Sequence, residues 1–328
     1  EPLLISGGSE HRAHLNDLAL DLAAHSARLR GSLPKYIEHS LADLVRAMNC
    51  YYSNLIEGHD THPVDIERAL KDDYSLNTQQ RNLQLEAKAH ITVQRWIDEG
   101  GLKDHAASAD GLCEIHRRFC ELLPAELLWA EDPETGEEST ELVPGALRQR
   151  DLKVGHHIPI SPGAVPRFMN RFEDAYSGLG KTETILAAAA AHHRLLWIHP
   201  FLDGNGRVAR LMSYAMLLDA LDTGGIWSIA RGLARNEAQY KGKLTACDLP
   251  RRNDMDGRGH LSEEALADFT RFFLETCIDQ VKFMEELVSP DKLRTRILSW
   301  AGEEIRTKTL PPQSLKILER LLYQGELA

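Results

Sequence analysis

The sequence predicts an all-α fold. Three observations carry the prediction. Apolar residues recur at three- and four-residue steps along most of the 328 residues, the period of an amphipathic helix. Glycines and prolines close several of these runs, as helix ends require. Only one stretch, 146–161, has a strand-like composition.

In order, helices are expected over 14–29, 36–58, 78–100, 112–123, 164–180, 182–200, 207–221 and 262–288. Gly58 is placed to close the second with a left-handed cap. The alanine run in 182–200 suits close packing against a neighbouring helix, 207–221 is apolar enough to be central, and Ser262 is placed to cap the last. The acidic segment 130–140 reads as a solvated or mobile loop. "ALRQRDLKVGHHIPIS" (146–161), bounded by Pro144 and Pro162, reads as a short hairpin. Beyond Pro290, two helices joined by a turn are expected. Three regions follow: 1–110, a helical N-terminal part; 111–290, a helical core; and 291–328, a C-terminal helical segment.

Net charge is −11 and charged residues make up 27%, which argues against broad nucleic-acid binding, since that needs phosphate neutralisation. No apolar run reaches the roughly 18 residues of a membrane span, and the first residues lack the pattern of a signal peptide. The five cysteines form no CxxC pair, so reduced thiols and a cytoplasmic setting are expected.

Two stretches invite a phosphate reading. "AYSGLGKT" (175–182) approximates a P-loop, but Ala175 replaces the first glycine and the preceding residues form an amphipathic helix. A P-loop needs a buried strand there, so Gly178 and Gly180 are read as a cap and linker and Thr182 as an N-cap. "HPFLDGNGRVAR" (199–210) fits better. Gly204, Asn205 and Gly206 tolerate the left-handed backbone of an anion nest, and a helix starting near Gly206 adds its positive end. Arg207 and Arg210, one turn apart, share a face and each suits a further phosphate. Asp203 beside several phosphates implies Mg2+ between them. His199, with an ordinary pKa of about 6.5, suits a general base. Phe201 and Leu202 read as anchors of the loop.

Residues 199–210 match, at every defined position, the HPFx(D/E)GNGRxxR motif of the Fic family, which this chain resembles over about residues 36–290. The resemblance implies a helical bundle with a small β-hairpin flap. It implies transfer of AMP from ATP to a Ser, Thr or Tyr hydroxyl of a target protein. His199 would deprotonate the hydroxyl and Asp203 would hold Mg2+ between the α- and β-phosphates. Gly204, Asn205 and Gly206 would cradle the phosphates, with Asn205 on the α-phosphate, Arg207 on the β and Arg210 on the γ.

"SNLIEG" (53–58) also fits the family's inhibitory motif, (S/T)xxxE(G/N). By resemblance Ser53, Glu57 and Gly58 form an inhibitory helix end, with Glu57 bound to Arg210 and the γ-phosphate displaced. The flap, Leu152, Lys153, Val154, Gly155, His156 and His157, would take the target as an added strand. Asn236 and Tyr240 are candidates for the adenine pocket. His192, His193 and His199 lack the i, i+4 spacing of a helical zinc pair, so packed histidines are expected.

Two other readings share these residues. One removes AMP instead of adding it, or transfers another nucleotidyl or phosphoryl group through the same loop. The other takes the tail, "ILSWAGEEIR" to "KILERLLYQGELA", which resembles the opening of a winged helix, as part of a nucleotide-responsive DNA-binding regulator; the same helices also suit a homodimer contact.

Overall fold

The computed structural model describes residues 3–131, 138–257 and 259–324. Helices dominate it, in the order α1 (Arg12–Gly31), α2 (Lys35–Ile56), α3 (Pro63–Leu70), α4 (Thr78–Asp98), α5 (Ala109–Glu121), α6 (Val165–Tyr176), α7 (Lys181–Ile198), α8 (Asn205–Leu221), α9 (Ala230–Arg235), α10 (Glu237–Cys247), α11 (Glu263–Val288), α12 (Pro290–Arg306) and α13 (Ser314–Gln324). Several starts are set by side-chain caps. Asn77 accepts from the Gln80 N–H at 3.0 Å, Ser108 from Gly111 at 2.9 Å and Ser262 from Ala265 at 3.1 Å. Each satisfies an N–H that the helix itself cannot.

The chain divides into two compact units, Glu1–Gln280 and Val281–Ala328. In the first, α7 and α8 form the central pair. The run Ala187–Ala191 is buried throughout, and its small side chains let the two backbones approach. α1, α4 and α5 also pack on α8, while α2 packs on α4 and α9. This puts the end of α2 and the middle of α4 beside the start of α8.

The sequence put the hairpin at 146–161 and a loop at 130–140; residues 132–137 of that loop lie outside the described residues, and its two ends are strands instead. Strands β1 (Trp129–Glu131) and β2 (Glu138–Glu141) pair antiparallel, with Trp129 opposite Glu141 and Ala130 opposite Thr140. The acidic character of 130–140 masked the β-forming Trp129 and Thr140. At 152–157 a single bridge links Val154 and His157, whose backbone groups exchange two hydrogen bonds of 2.9 Å around Gly155 and His156. Pro159 has no N–H to extend that ladder, so the expected flap is a tight turn.

The "AYSGLGKT" residues join α6 to α7 with no strand before them, and Gly180, not Thr182, caps α7. In the second unit the Arg294 guanidinium bonds the Leu322 carbonyl at 3.1 Å and lies 4.4 Å from the Tyr323 ring, tying α12 to α13. Among the described residues the tail consists of these two helices. Among the described residues no helix is long and apolar enough to cross a membrane.

Candidate active site

The loop between α7 and α8 is held from three sides. Phe201 is fully buried and stacks on the His116 ring at 4.2 Å and 3°. The Asn205 amide closes the loop on itself: its Oδ1 accepts from Phe201 N at 3.0 Å and its Nδ2 donates to Phe201 O at 2.8 Å. Arg148 donates to the His199 carbonyl at 2.7 Å, and its own N–H donates to the Pro200 carbonyl at 2.8 Å. Gly204 has φ 77° and caps α8, which starts at Asn205. A left-handed residue followed by the first helical N–H groups is an anion-binding turn.

His199 ends α7 with φ 51° and ψ 64°, a strained conformation for a residue with a Cβ. Its Nδ1 faces the Leu196 carbonyl at 3.3 Å. A carbonyl only accepts, so Nδ1 carries the proton and Nε2 keeps its lone pair. Burial, aided by the nearby His157 and Arg148, pushes the imidazole down to about 4. The ring is therefore neutral and able to accept a proton near pH 7.

Ser53, Glu57 and Arg210, far apart in sequence, meet here. The Arg210 guanidinium donates to Ser53 Oγ at 2.8 Å and to the Ser53 carbonyl at 3.2 Å, and it pairs with the Glu57 carboxylate. Burial would raise the Glu57 carboxyl, but Arg210 and Arg207 hold it below the ordinary carboxylate range. A methyl group on Gly206 would run into Glu57 Oε1. The Glu57 carboxylate thus lies on the first turn of α8, where an anionic ligand of that helix end would sit.

The end of α2 that carries Glu57 is a Schellman turn. Gly58 N donates to Leu55 O at 3.0 Å and His59 N to Asn54 O at 2.9 Å, with Gly58 at φ 84°. Gly58→Ala is expected to lower stability by about 1–2 kcal/mol, the cost of a left-handed residue bearing a Cβ. Chemical denaturation checks it, and an unchanged midpoint would contradict the strain argument.

Arg207, 8% exposed, pairs with Glu86 of α4 at 2.5 Å and lies 5.0 Å from the Phe119 ring. Glu86 in turn meets His59 Nδ1 at 2.7 Å. Asp203 is exposed at the rim. Beside it a cleft of about 480 Å3 opens, lined by Asp203, Gly204, Arg207, Glu86, His116 and Trp129 among others. One exposed carboxylate beside an anion-binding turn fits Mg2+, which usually takes one or two carboxylates and completes its shell with phosphate and water. Among the described residues no group of three His, Cys, Asp or Glu is placed to hold a metal by itself.

Other expected site residues fall elsewhere. The Asn205 side chain is fully committed to the loop backbone, which leaves its N–H, not its amide, for a phosphate. Tyr240 is 2% exposed and its hydroxyl bonds His192 Nε2 at 2.6 Å, while Ser213 Oγ meets His192 Nδ1 at 2.9 Å. A ring so enclosed offers no face to an adenine. Asn236 is exposed between α9 and α10, its amide on the Gly232 carbonyl at 3.0 Å. His157 of the 152–157 turn is held on both sides: its Nε2–H donates to the Trp197 carbonyl at 2.9 Å, and its Nδ1 lies 3.6 Å from Asp248. His193 also meets Asp248, at 2.9 Å. These contacts leave His192 and His193 as packed histidines.

Sequence reading missed Glu86, His59, His116 and Arg148. Glu86 and His90 sit on one face of α4 in an ordinary amphipathic pattern, and a buried charge on such a face was the only signal available.

Five histidines, His90, His116, His192, His193 and His199, are held below their ordinary 6.5 chiefly by burial. The unfolded chain binds more protons than the folded one below that value. Each therefore removes about 1.4 kcal/mol per pH unit as the solution falls below 6.5, until its own folded value is reached. His59 runs the other way: its bond to Glu86 raises it, so its stabilisation is present in acid and lost as pH rises through the folded value. Five outweigh one, and Tm is expected to fall between pH 7 and pH 5. A Tm that rises over that range would refute the assignment.

A helical bundle that brings an anion-binding turn, two arginines and a neutral histidine together presents a candidate site for an anionic ligand. Residues 106–217 match the Fic/DOC family. It is 27% identical over 201 residues to protein adenylyltransferase Fic of Drosophila willistoni, covering 60% of this chain and 35% of that protein. It is 38% identical over 114 residues to protein adenylyltransferase Fic of Culex quinquefasciatus, covering 33% and 19%. The chain spans about a third of the length of the first of these relatives. Among solved structures it resembles a Fic family protein from Desulfovibrio desulfuricans G20, with TM-score 0.61, 18% identity and coverage of 84% of this chain and 75% of that one. Fic-1 from C. elegans gives 0.62, 17%, 85% and 74%. At these identities the structural likeness shows the fold alone.

Proposed function

We propose that the chain transfers AMP from ATP to a hydroxyl side chain of a target protein and that Glu57 restrains the reaction. The observation that carries this reading is the convergence of Ser53 and Glu57 on Arg210, beside a turn built for phosphate. The Gly204–Gly206 turn takes the phosphates through backbone N–H groups, and Arg207 and Arg210 take the outer ones. Mg2+ held by Asp203 would neutralise phosphate charge when bound.

The neutral His199 accepts the target hydroxyl proton on Nε2. The hydroxyl oxygen forms a bond to the α-phosphorus as the bond to the bridging oxygen breaks, and pyrophosphate leaves with that oxygen. Catalysis is then alignment plus charge neutralisation. With Glu57 on Arg210, the outer phosphate loses its arginine.

The test uses two labels. Glu57→Gly protein with ATP labelled at the α-phosphate is expected to yield labelled protein, and with ATP labelled at the γ-phosphate to yield none. Retention of the γ-label would replace nucleotidyl transfer by phosphoryl transfer; no retention of either would overturn the reading.

A further inference from the structure

Arg148 lies between the flap and α7 and is 2% exposed. Among the described residues its side chain forms no ion pair, although Asp151 is near enough to offset part of its charge; its hydrogen bonds go to backbone carbonyls. Nε donates to His199 at 2.7 Å, one terminal nitrogen to Arg150 at 2.9 Å, and the other to Ile160 and, at 3.4 Å, to Ile198. Arg150 and Ile160 are the two feet of the 152–157 turn. Ile198 and His199 are the negative end of α7, which favours a cation. Burying a guanidinium without an anion is costly, and burial indeed pushes this one below its ordinary range.

His199 needs such a partner. Its left-handed backbone persists only where the surroundings over-determine it. The Arg148 side chain fixes the His199 carbonyl, and the Arg148 N–H fixes the next one. The far end of the turn is pinned separately, by His157 on the Trp197 carbonyl.

We infer that Arg148 is a positioning residue: one side chain holds His199 in its reacting conformation and binds both feet of the flap to it, so that the docked target and the base share a single reference point. This rests on the proposed transfer reaction. The nucleotide side of the loop does not touch Arg148, so its loss is expected in turnover and not in ATP binding.

Arg148→Met and Arg148→Lys, each in the Glu57→Gly background, test it. Arg148→Met is expected to lower kcat about 10²-fold, the effect of misplacing a reacting group by roughly 1 Å, with KM for ATP little changed. Lysine keeps the charge and part of the bonding and is expected to restore part of the rate. Two readouts need no turnover. Amide exchange at 150–160 and 199–201 should quicken in the methionine variant. The His199 imidazole, which faces Arg148, His157 and Asp203, should titrate higher by NMR in Arg148→Met and stay near the Glu57→Gly value in Arg148→Lys.

Unchanged exchange and titration in Arg148→Met would overturn the inference, whatever the rate does. A Glu57→Gly protein that transfers no label would instead sink the proposed reaction, and exchange and titration would still decide on Arg148.

Discussion

Glu57→Gly is expected to incorporate α-labelled AMP about 5- to 150-fold faster than the unaltered protein, the span of a 1–3 kcal/mol coupling. The geometry sets both the direction and the bound. Arg210 is 4% exposed and bonded to Ser53 twice as well as to Glu57. Removing the carboxylate therefore frees one edge of the guanidinium without letting the side chain wander. It also clears the first turn of α8, since Glu57 lies against Gly206. Glu57→Gln tests charge apart from bulk. It keeps the shape and loses the anion, so a rate between those of the unaltered and glycine proteins is expected. Initial rates of automodification measure this, and equal rates in all three proteins would remove Glu57 from the mechanism.

His199→Ala in the Glu57→Gly background is expected to lose about 10²–10⁴ in turnover, the usual contribution of a general base, while calorimetric ATP affinity stays the same. The two parts separate because the proposed phosphate ligands belong to α8 and its preceding turn, whereas the imidazole belongs to the end of α7. The pH profile carries a second signature. A base works only unprotonated, and burial holds His199 at about 4. The rate of Glu57→Gly, read well below its Tm, should therefore show no inflection near 6.5 and stay level from pH 7 to about 6. An acid limb near 6.5 would mean a ring open to water.

The helices were legible in the sequence because their apolar period is long and repeated. So was the loop, where glycine, arginine and histidine lie within twelve residues and spacing alone implies anion binding. Ser53 and Glu57 were legible through a motif, and the structure gave them the partner expected. The hairpin was not. Trp129 and Thr140 sit in an acidic setting that reads as solvated, while the β-branched and apolar residues of 146–161 are broken by Pro159. Tyr240 shows the other failure: a tyrosine on a helix near a site has the same local pattern whether its ring faces a ligand or a buried histidine. Arg148 and Glu86 depend on contacts across the bundle, with Ile198 and His199 in one case and Arg207 in the other. No local window records such contacts.

The Schellman turn after Ile56 places the Glu57 carboxylate at the end of a helix, where cooperative units are smallest. Releasing Arg210 thus requires only that α2 shed its final residues, not that the bundle open. Under the proposed restraint, residual turnover of the unaltered protein becomes a gauge of helix fraying. Its rise with temperature should follow the enthalpy of a single turn, well below that of global unfolding.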